Sequence, residues 1–219
     1  MNNKVSIILP SRNEQFLGRT VEDILLNARG DIEVIAVLDA HWPNPPLKDD
    51  KRLTVIHKGH ATGMRPSINM GAAVAKGKYI MKLDAHCHLD EGFDVKLAED
   101  SEYDWVSVPR RYSLNPDTWT RDMRRPCRDH LYVGPDKENG REYQYGFTGK
   151  DWHDYAKSRR DILIDDLMTF QGSCWFMHKS YFWDFGGMDL GYGHFFHEAQ
   201  EIGFRTWLSG GRVIRNCGS

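Results

Sequence analysis

No stretch of this chain approaches the roughly 18 consecutive apolar residues of a membrane span, and the opening MNNKVSIILPSRNE lacks the small-residue cleavage pattern of a signal peptide. A soluble, cytoplasmic protein is expected. Cysteine is scarce: Cys87, Cys127, Cys174 and Cys217 lie far apart with no CxxC pair, which excludes a zinc cluster of familiar spacing and a disulfide frame and leaves reduced thiols. Excess charge is missing too. With 29 basic and 31 acidic side chains the formal charge is −2, so there is no global basic field to attract nucleic acid or an anionic membrane. The local exception is Arg110, Arg111, Arg121, Arg124, Arg125 and Arg128, partly offset by Asp117, Asp122 and Asp129; it is either a solvated face or an acceptor-binding patch. Repeats and low-complexity tracts are absent.

What is present is the composition of a globular protein, 40% hydrophobic and 27% charged over 219 residues, a length that one domain accommodates. Lys4 to Pro10 is a β-rich run, and Gln15 to Arg29 carries Phe16, Leu17, Val21, Ile24, Leu25 and Ala28 at helical spacing. Ile32 to Leu38 is a continuous apolar run with one acid, as in a strand buried on both faces of a parallel sheet. WPNPP interrupts regular structure. A short strand over Leu53 to His57, a helix over Met64 to Ala75 and a strand over Lys78 to Leu83 follow. Strands alternating with helices imply right-handed crossovers and an open, mostly parallel sheet, with ligands bound beyond the carboxyl ends of its strands. Three polar clusters should therefore converge on one edge: Pro10 to Glu14, Asp39 to His41, and Asp84 to His86. Arg110 to Asp166 shows no clear period and predicts long loops with short helices. A strand over Met168 to His178, a short helix over Lys179 to Phe185 and an amphipathic helix over His197 to Leu208 complete the pattern.

Asp84 and His86 stand two apart at a strand end, so in extended chain both side chains can reach one ion. A carboxylate with an imidazole suits Mn²⁺ better than Mg²⁺, which prefers oxygen alone. A polar loop with Asp84 capping a turn is the alternative. Asp39, a carboxylate at a buried strand end, needs a partner. Ser11 could cap the first helix, with Asn13 and Glu14 beginning it.

VSIILPSRNE, EVIAVLDAH and GMRPSINMGAAVAKGKYIMKLDAH, in that order, resemble the nucleotide-binding half of family-2 glycosyltransferases. Their first strand ends P-x-x-N-E, their second ends in Asp, and a third motif reads A-x-G-x-Y-I-x-x-L-D-A-D. His86 stands at that motif's final Asp, which is similar to the Asp-x-His of polypeptide N-acetylgalactosaminyltransferases. Toward the C-terminal part of this chain, GGMDLGYGHFFHEAQEIGFRTWLSGG resembles a segment of the same enzymes in which a glycine- and aromatic-rich loop precedes two acidic positions, here Glu198 and Glu201, with Phe204, Arg205 and Trp207 in register. The resemblance covers about two-thirds of the chain and leaves the middle unmatched.

The resemblance implies a GT-A (Rossmann-like) α/β fold, an open, mostly parallel twisted sheet with helices on both faces. It implies one domain over 1–219, with a nucleotide-binding half (1–110) and an acceptor/sugar half (111–219). It also implies a hexosyl- or N-acetylhexosaminyltransferase that uses a UDP-sugar donor and Mn²⁺ (or Mg²⁺). Pro10, Ser11, Asn13, Glu14, Asp39, Arg65, Asn69 and Asp84 would bind the donor, with Asp39 on the uracil imide and Arg65 and Asn69 near the ribose and diphosphate. Asp84 and His86 would hold the metal, and Glu198 and Glu201 would be catalytic. Trp119, Trp152, Trp175 and Phe195 are candidate acceptor platforms, or core. The acceptor is a glycan, a protein or a modified base in DNA. The competing functions are a non-catalytic sugar-nucleotide or glycan-binding module and a nucleotidyltransferase; PSRNEQF lacks the glycine-rich basic loop usual in the latter.

Two departures stand out. Many inverting relatives have Glu-Asp, the Asp serving as base, where this chain has Glu198-Ala199; the base is Glu198, a residue of the middle region, or absent, as a retaining reaction would allow. The relatives' third metal ligand, a His shortly after a Cys that Cys217 matches, has no counterpart before Ser219. A longer tail, His194 or His197 would have to supply it.

Overall fold

The computed structural model describes residues 3–135, 147–192 and 197–218. The chain runs β1 (Val5–Ser11), α1 (Leu17–Asn27), β2 (Ile32–Asp39), β3 (Leu53–Lys58), α2 (Met64–Val74), β4 (Tyr79–Leu83), α3 (Phe93–Glu99) and β5 (Trp105–Pro109). Two small antiparallel pairs follow, β6 (Leu114–Asn115) with β7 (Thr120–Arg121) and β8 (Leu131–Pro135) with β9 (Phe147–Asp151). Then come α4 (His153–Ser158), β10 (Ile164–Asp166), β11 (Cys174–His178), α5 (Lys179–Asp184), a 3₁₀ turn at Leu190–Tyr192, α6 (Glu198–Leu208) and β12 (Arg212–Asn216).

Among the described residues, eight strands form one sheet in the order β10-β12-β5-β11-β4-β1-β2-β3. β1 pairs in parallel with both β2 and β4, β2 with β3, and β5 with β12. β11 lies antiparallel between β4 and β5, and β10 runs antiparallel on the edge. Helices cover both faces. Leu17, Val21 and Ile24 of α1 pack with Phe93 and Leu97 of α3 against one side, while Ile68 and Ala72 of α2, Phe182 of α5 and Ile202 of α6 pack against the other. The apolar runs of β2 and β4 are buried along their whole length, as strands covered on both faces must be. α2 lies so close to β1 that a Cβ on Gly71 would come within 2.5 Å of Ile8, so only glycine fits there.

Several elements differ from the sequence expectation. The strand expected over Met168 to His178 is confined to Cys174–His178, because the chain turns at Gly172 and Ser173 first. α3, β5 and β12 are additional, and among the described residues the middle region carries the two strand pairs and a single short helix, α4. Ser11 closes β1, and α1 begins after Phe16 with no side-chain cap, so Ser11 is not its N-cap. All four cysteines are free. Among the described residues, no helix is long and apolar enough to cross a membrane.

Candidate active site

A cleft of about 820 Å³ opens at one edge of the sheet. Its walls follow from the topology. Parallel β1, β2, β4 and β5 end on the same edge, and antiparallel β11 begins there. The cleft is accordingly lined by Asn13 to Phe16 after β1, His41 and Asn44 after β2, Asp84 and His86 to His88 after β4, Arg111 and Ser113 after β5, and Gln171 and Ser173 before β11. This is the position that open α/β sheets give their ligands. Asn13 takes a left-handed φ of 56°, a conformation asparagine tolerates, and Glu14 follows it.

Asp84 is fixed by its backbone, whose N–H donates to Ser173 O at 2.8 Å. Asp84 Oδ2 lies 3.9 Å from His86 Nε2. Two ligands each about 2.1 Å from one ion can stand up to about 4.2 Å apart, so the pair spans a distance that a single divalent cation can bridge. His86 Nδ1 faces Glu14 Oε2 at 3.2 Å. With its proton on Nδ1, donated to Glu14, the ring presents the Nε2 lone pair beside Asp84, the carboxylate–histidine arrangement that orients metal-binding imidazoles. Among the described residues no group of three or more His, Cys, Asp or Glu side chains is placed to hold a metal ion, so Asp84 and His86 stand as a pair. The pair would therefore leave coordination positions to a ligand's oxygens. His197 starts α6 and does not line the cleft; His194 and Phe195 lie outside the described residues.

The cysteine beside this pair has no thiolate to offer. Burial, reinforced by Asp84, pushes the Cys87 thiol up to about 12, and burial raises Cys174 as well.

The remaining expected residues divide. Asn13, Glu14, Asp84 and His86 line the cleft; Pro10, Ser11, Asp39, Arg65, Asn69, Glu198 and Glu201 do not. Asp39 is buried, and its carboxylate accepts the N–H of Thr62 at 2.8 Å and of Gly63 at 2.9 Å, with Lys58 Nζ at 2.6 Å. Burial opposes its charge, but Lys58 and the two N–H groups prevail and hold its carboxyl below the ordinary value. Arg65 is fully buried and pairs with Glu201. Asn69 exchanges two 2.9 Å hydrogen bonds with the Met188 backbone. Arg65 and Asn69 thus tie α2 to the segment before α6.

Glu198 is buried as well. Trp175 Nε1 donates to its Oε1 at 2.5 Å, and Lys82 Nζ lies 3.3 Å from its Oε2. Burial raises its pKa above the ordinary value despite these partners. Trp175 is core and not an acceptor platform. Trp119 is buried too, its indole N–H on Asp23 at 3.3 Å, whereas Trp152 is partly exposed and stacks on Tyr155. Much of the arginine cluster is internally paired: Arg110 with Asp129, Arg124 and Arg125 with Asp122, and Arg128 with Asp151.

Sequence reasoning passed over Lys82, which joins Asp84 to Glu198 from inside the sheet. The signal was a lone cation in the otherwise apolar strand YIMKL, where a buried charge requires a partner.

A strand-end carboxylate–imidazole pair over a wide polar cleft, on an open sheet with helices on both faces, defines an α/β architecture of the GT-A class. The model of the glycosyl transferase family 2 matches residues 6–186, and the chain belongs to that family. A probable N-acetylgalactosaminyltransferase 7 of Caenorhabditis elegans is 22% identical over 228 residues, covering 96% of this chain and 37% of the relative. Among solved structures, GalNAc-T7 with UDP, GalNAc and Mn²⁺ superposes with a TM-score of 0.72 at 17% identity, covering 98% of this chain and 42% of that one. A mannosyltransferase, PcManGT from Pyrobaculum calidifontis, in complex with GDP-Man and Mn²⁺, gives 0.61 at 13%, covering 97% and 54%. The chain thus spans about four-tenths to half the length of these proteins, and the structural likeness is one of fold.

Proposed function

We propose that this chain is a metal-dependent glycosyltransferase that moves a sugar from a UDP-sugar to an acceptor hydroxyl on a glycan, a protein or a modified nucleobase. The observation that carries the proposal is the Asp84–His86 pair, 3.9 Å between Oδ2 and Nε2, at the carboxyl edge of the sheet. A bound Mn²⁺ or Mg²⁺ would supply Lewis-acid stabilisation of the charge that grows on the leaving diphosphate. Asp84 and His86 would hold it, Glu14 would keep the imidazole in the ligating tautomer, and Asn13 would line the donor's pocket. UDP is favoured over GDP because the relative and the better superposing structure are, by name, enzymes of N-acetylgalactosamine, the latter solved with UDP.

The burial of Glu198 and Glu201 supports a holding role for both, in place of the catalytic one that the resemblance implies. Residues 1–219 act as one domain in this proposal, whose cytoplasmic location cell fractionation tests. The central experiment incubates the protein with a panel of UDP- and GDP-sugars and Mn²⁺ and measures release of the nucleoside diphosphate. Release from a UDP-sugar, abolished by chelation, is expected. Tight binding without release or transfer to any acceptor would favour a non-catalytic module, and formation of a sugar nucleotide from a sugar phosphate and UTP would identify a nucleotidyltransferase.

A further inference from the structure

Lys82 occupies β4, a strand buried from Tyr79 to Leu83, and its side chain is almost wholly inaccessible. A charge in such a place is retained only where it is paired and hydrogen-bonded. An ammonium has three N–H donors, and three acceptors surround this one: Asp84 Oδ1 at 2.6 Å, Gly172 O at 2.5 Å and Glu198 Oε2 at 3.3 Å. They come from three parts of the fold, the end of β4, the turn before β11 and the start of α6. That turn is shaped to lie over the group. A Cβ on Gly172 would come within 3.1 Å of Glu198 Oε2.

We propose that Lys82 is a positioning residue that orients the Asp84 carboxylate for cation binding, and that Glu198 is the counter-ion that holds Lys82 in place. The proposal rests on the metal-dependent nucleotide site proposed above. Asp84 has two oxygens and the geometry divides them: Oδ1 is committed to Lys82, and Oδ2 is left toward His86 Nε2. Rotation of the carboxylate would break the 2.6 Å contact, so the oxygen offered to a cation is fixed before the cation arrives. A simple counter-ion for Glu198 would need neither Asp84 nor the Gly172 carbonyl. Glu198 already has the Trp175 indole, and its contact with Lys82 is the longest of the three.

The test separates charge balance from positioning. Lys82→Met leaves Glu198 buried without its cation, which unsettles the fold; adding Glu198→Gln removes the uncompensated charge. Mn²⁺ affinity in the presence of UDP, read from the electron paramagnetic resonance of free Mn²⁺, is measured beside the melting temperature. In Lys82→Met/Glu198→Gln the melting temperature should recover relative to Lys82→Met while Mn²⁺ affinity stays about 10-fold or more below the parent, the scale of outer-shell losses at metal sites. Recovery of both would overturn the proposal and reduce Lys82 to a counter-ion. Should the double variant not fold, Lys82→Gln carries the comparison: weakened Mn²⁺ affinity supports positioning, and parental affinity overturns it. A parent protein showing no Mn²⁺-dependent binding of UDP, or an Asp84→Asn variant that keeps it, would instead refute the underlying metal site, and this proposal with it.

Discussion

Arg65 of α2 and Glu201 of α6, 136 positions apart, form a buried ion pair that joins two helices on one face of the sheet. Glu201 is further engaged by the Asp189 N–H at 2.8 Å and by Arg205 at 3.2 Å, and the Arg65 guanidinium lies 4.8 Å from the Tyr192 ring. Both carboxylate oxygens therefore have partners inside the fold. Removing Arg65 leaves Glu201 with Arg205 as its remaining cation, so the cost falls toward the low end of the about 3–5 kcal/mol seen when buried pairs are broken. Arg65→Met should lower the melting temperature by about 10 °C, while UDP affinity per folded molecule stays close to parental. Calorimetric unfolding with UDP titration at low temperature checks it; a stable variant that has lost UDP would return Arg65 to the donor site.

The Glu14–His86–Asp84 arrangement gives a graded expectation. His86→Ala removes a ligand from a half-exposed strand-end position, so Mn²⁺-dependent UDP affinity should fall sharply with little change in stability. Glu14→Gln keeps the shape and loses the charge that orients the imidazole, and an effect of about 10-fold is expected from an outer-shell carboxylate. Calorimetry with and without Mn²⁺ reads both. Equal affinity of His86→Ala and parent under Mn²⁺ would remove His86 from the site.

The sheet's first half was legible because its signals are local: apolar runs of strand length, a helical period through Leu17, Val21 and Ile24, and polar residues at each strand end. Convergence of Glu14, Asp84 and His86 on one cleft follows from parallel topology alone. The roles of Arg65, Asn69, Asp39 and Glu201 were not legible, since each depends on a partner brought in by tertiary packing. A motif shows that a polar residue stands at a given place; it does not show whether the side chain faces the cleft or the Met188 backbone. β12 was overlooked for a related reason. RVIRN carries arginines at its first and fourth positions, and Arg215 can be buried because Asp129 meets it at 2.9 Å and the Arg159 and Ile162 carbonyls accept from it.

Asp39 provides a sharper test of motif against geometry. If it reads the uracil imide, Asp39→Ala should erase the preference for UDP over GDP. Its carboxylate instead anchors the Thr62 and Gly63 backbone ahead of α2 and neutralises Lys58. We expect Asp39→Ala to lower stability and to weaken UDP and GDP together, leaving their ratio unchanged. Parallel titrations of both nucleotides against parent and variant decide it. A collapse of the ratio at unchanged stability would restore the base-reading role.

The edge of the sheet beside β10 should make the fold acid-sensitive. Asp165 is buried between Arg159, which pairs with both its oxygens, and His130 Nε2 at 2.9 Å. Hydrogen bonding to Arg159, helped by His130 against the opposing effect of burial, lowers its pKa from 3.8 to about 2. Between those values the unfolded chain takes up a proton that the folded protein refuses. The contribution of Asp165 is therefore complete above the ordinary carboxylate value and is lost as pH falls through about 2, and the shift corresponds to about 2 kcal/mol. Burial, with Arg215 adding to it, lowers His130 below its ordinary 6.5 even beside Asp165 and Asp129, and burial with Lys78 nearby lowers His178. Each histidine is then protonated first in the unfolded chain, so each also withdraws stability as pH drops below the ordinary histidine value. Urea unfolding at pH 7.5, 5 and 3 should show stability falling at each step. The deficit of Asp165→Asn relative to the parent should be largest at neutral pH and shrink toward pH 2. His130→Gln, which keeps a hydrogen-bond donor but does not titrate, should flatten the fall between pH 7.5 and 5. A deficit in Asp165→Asn that is constant with pH would show that its carboxylate charge is not what holds this edge.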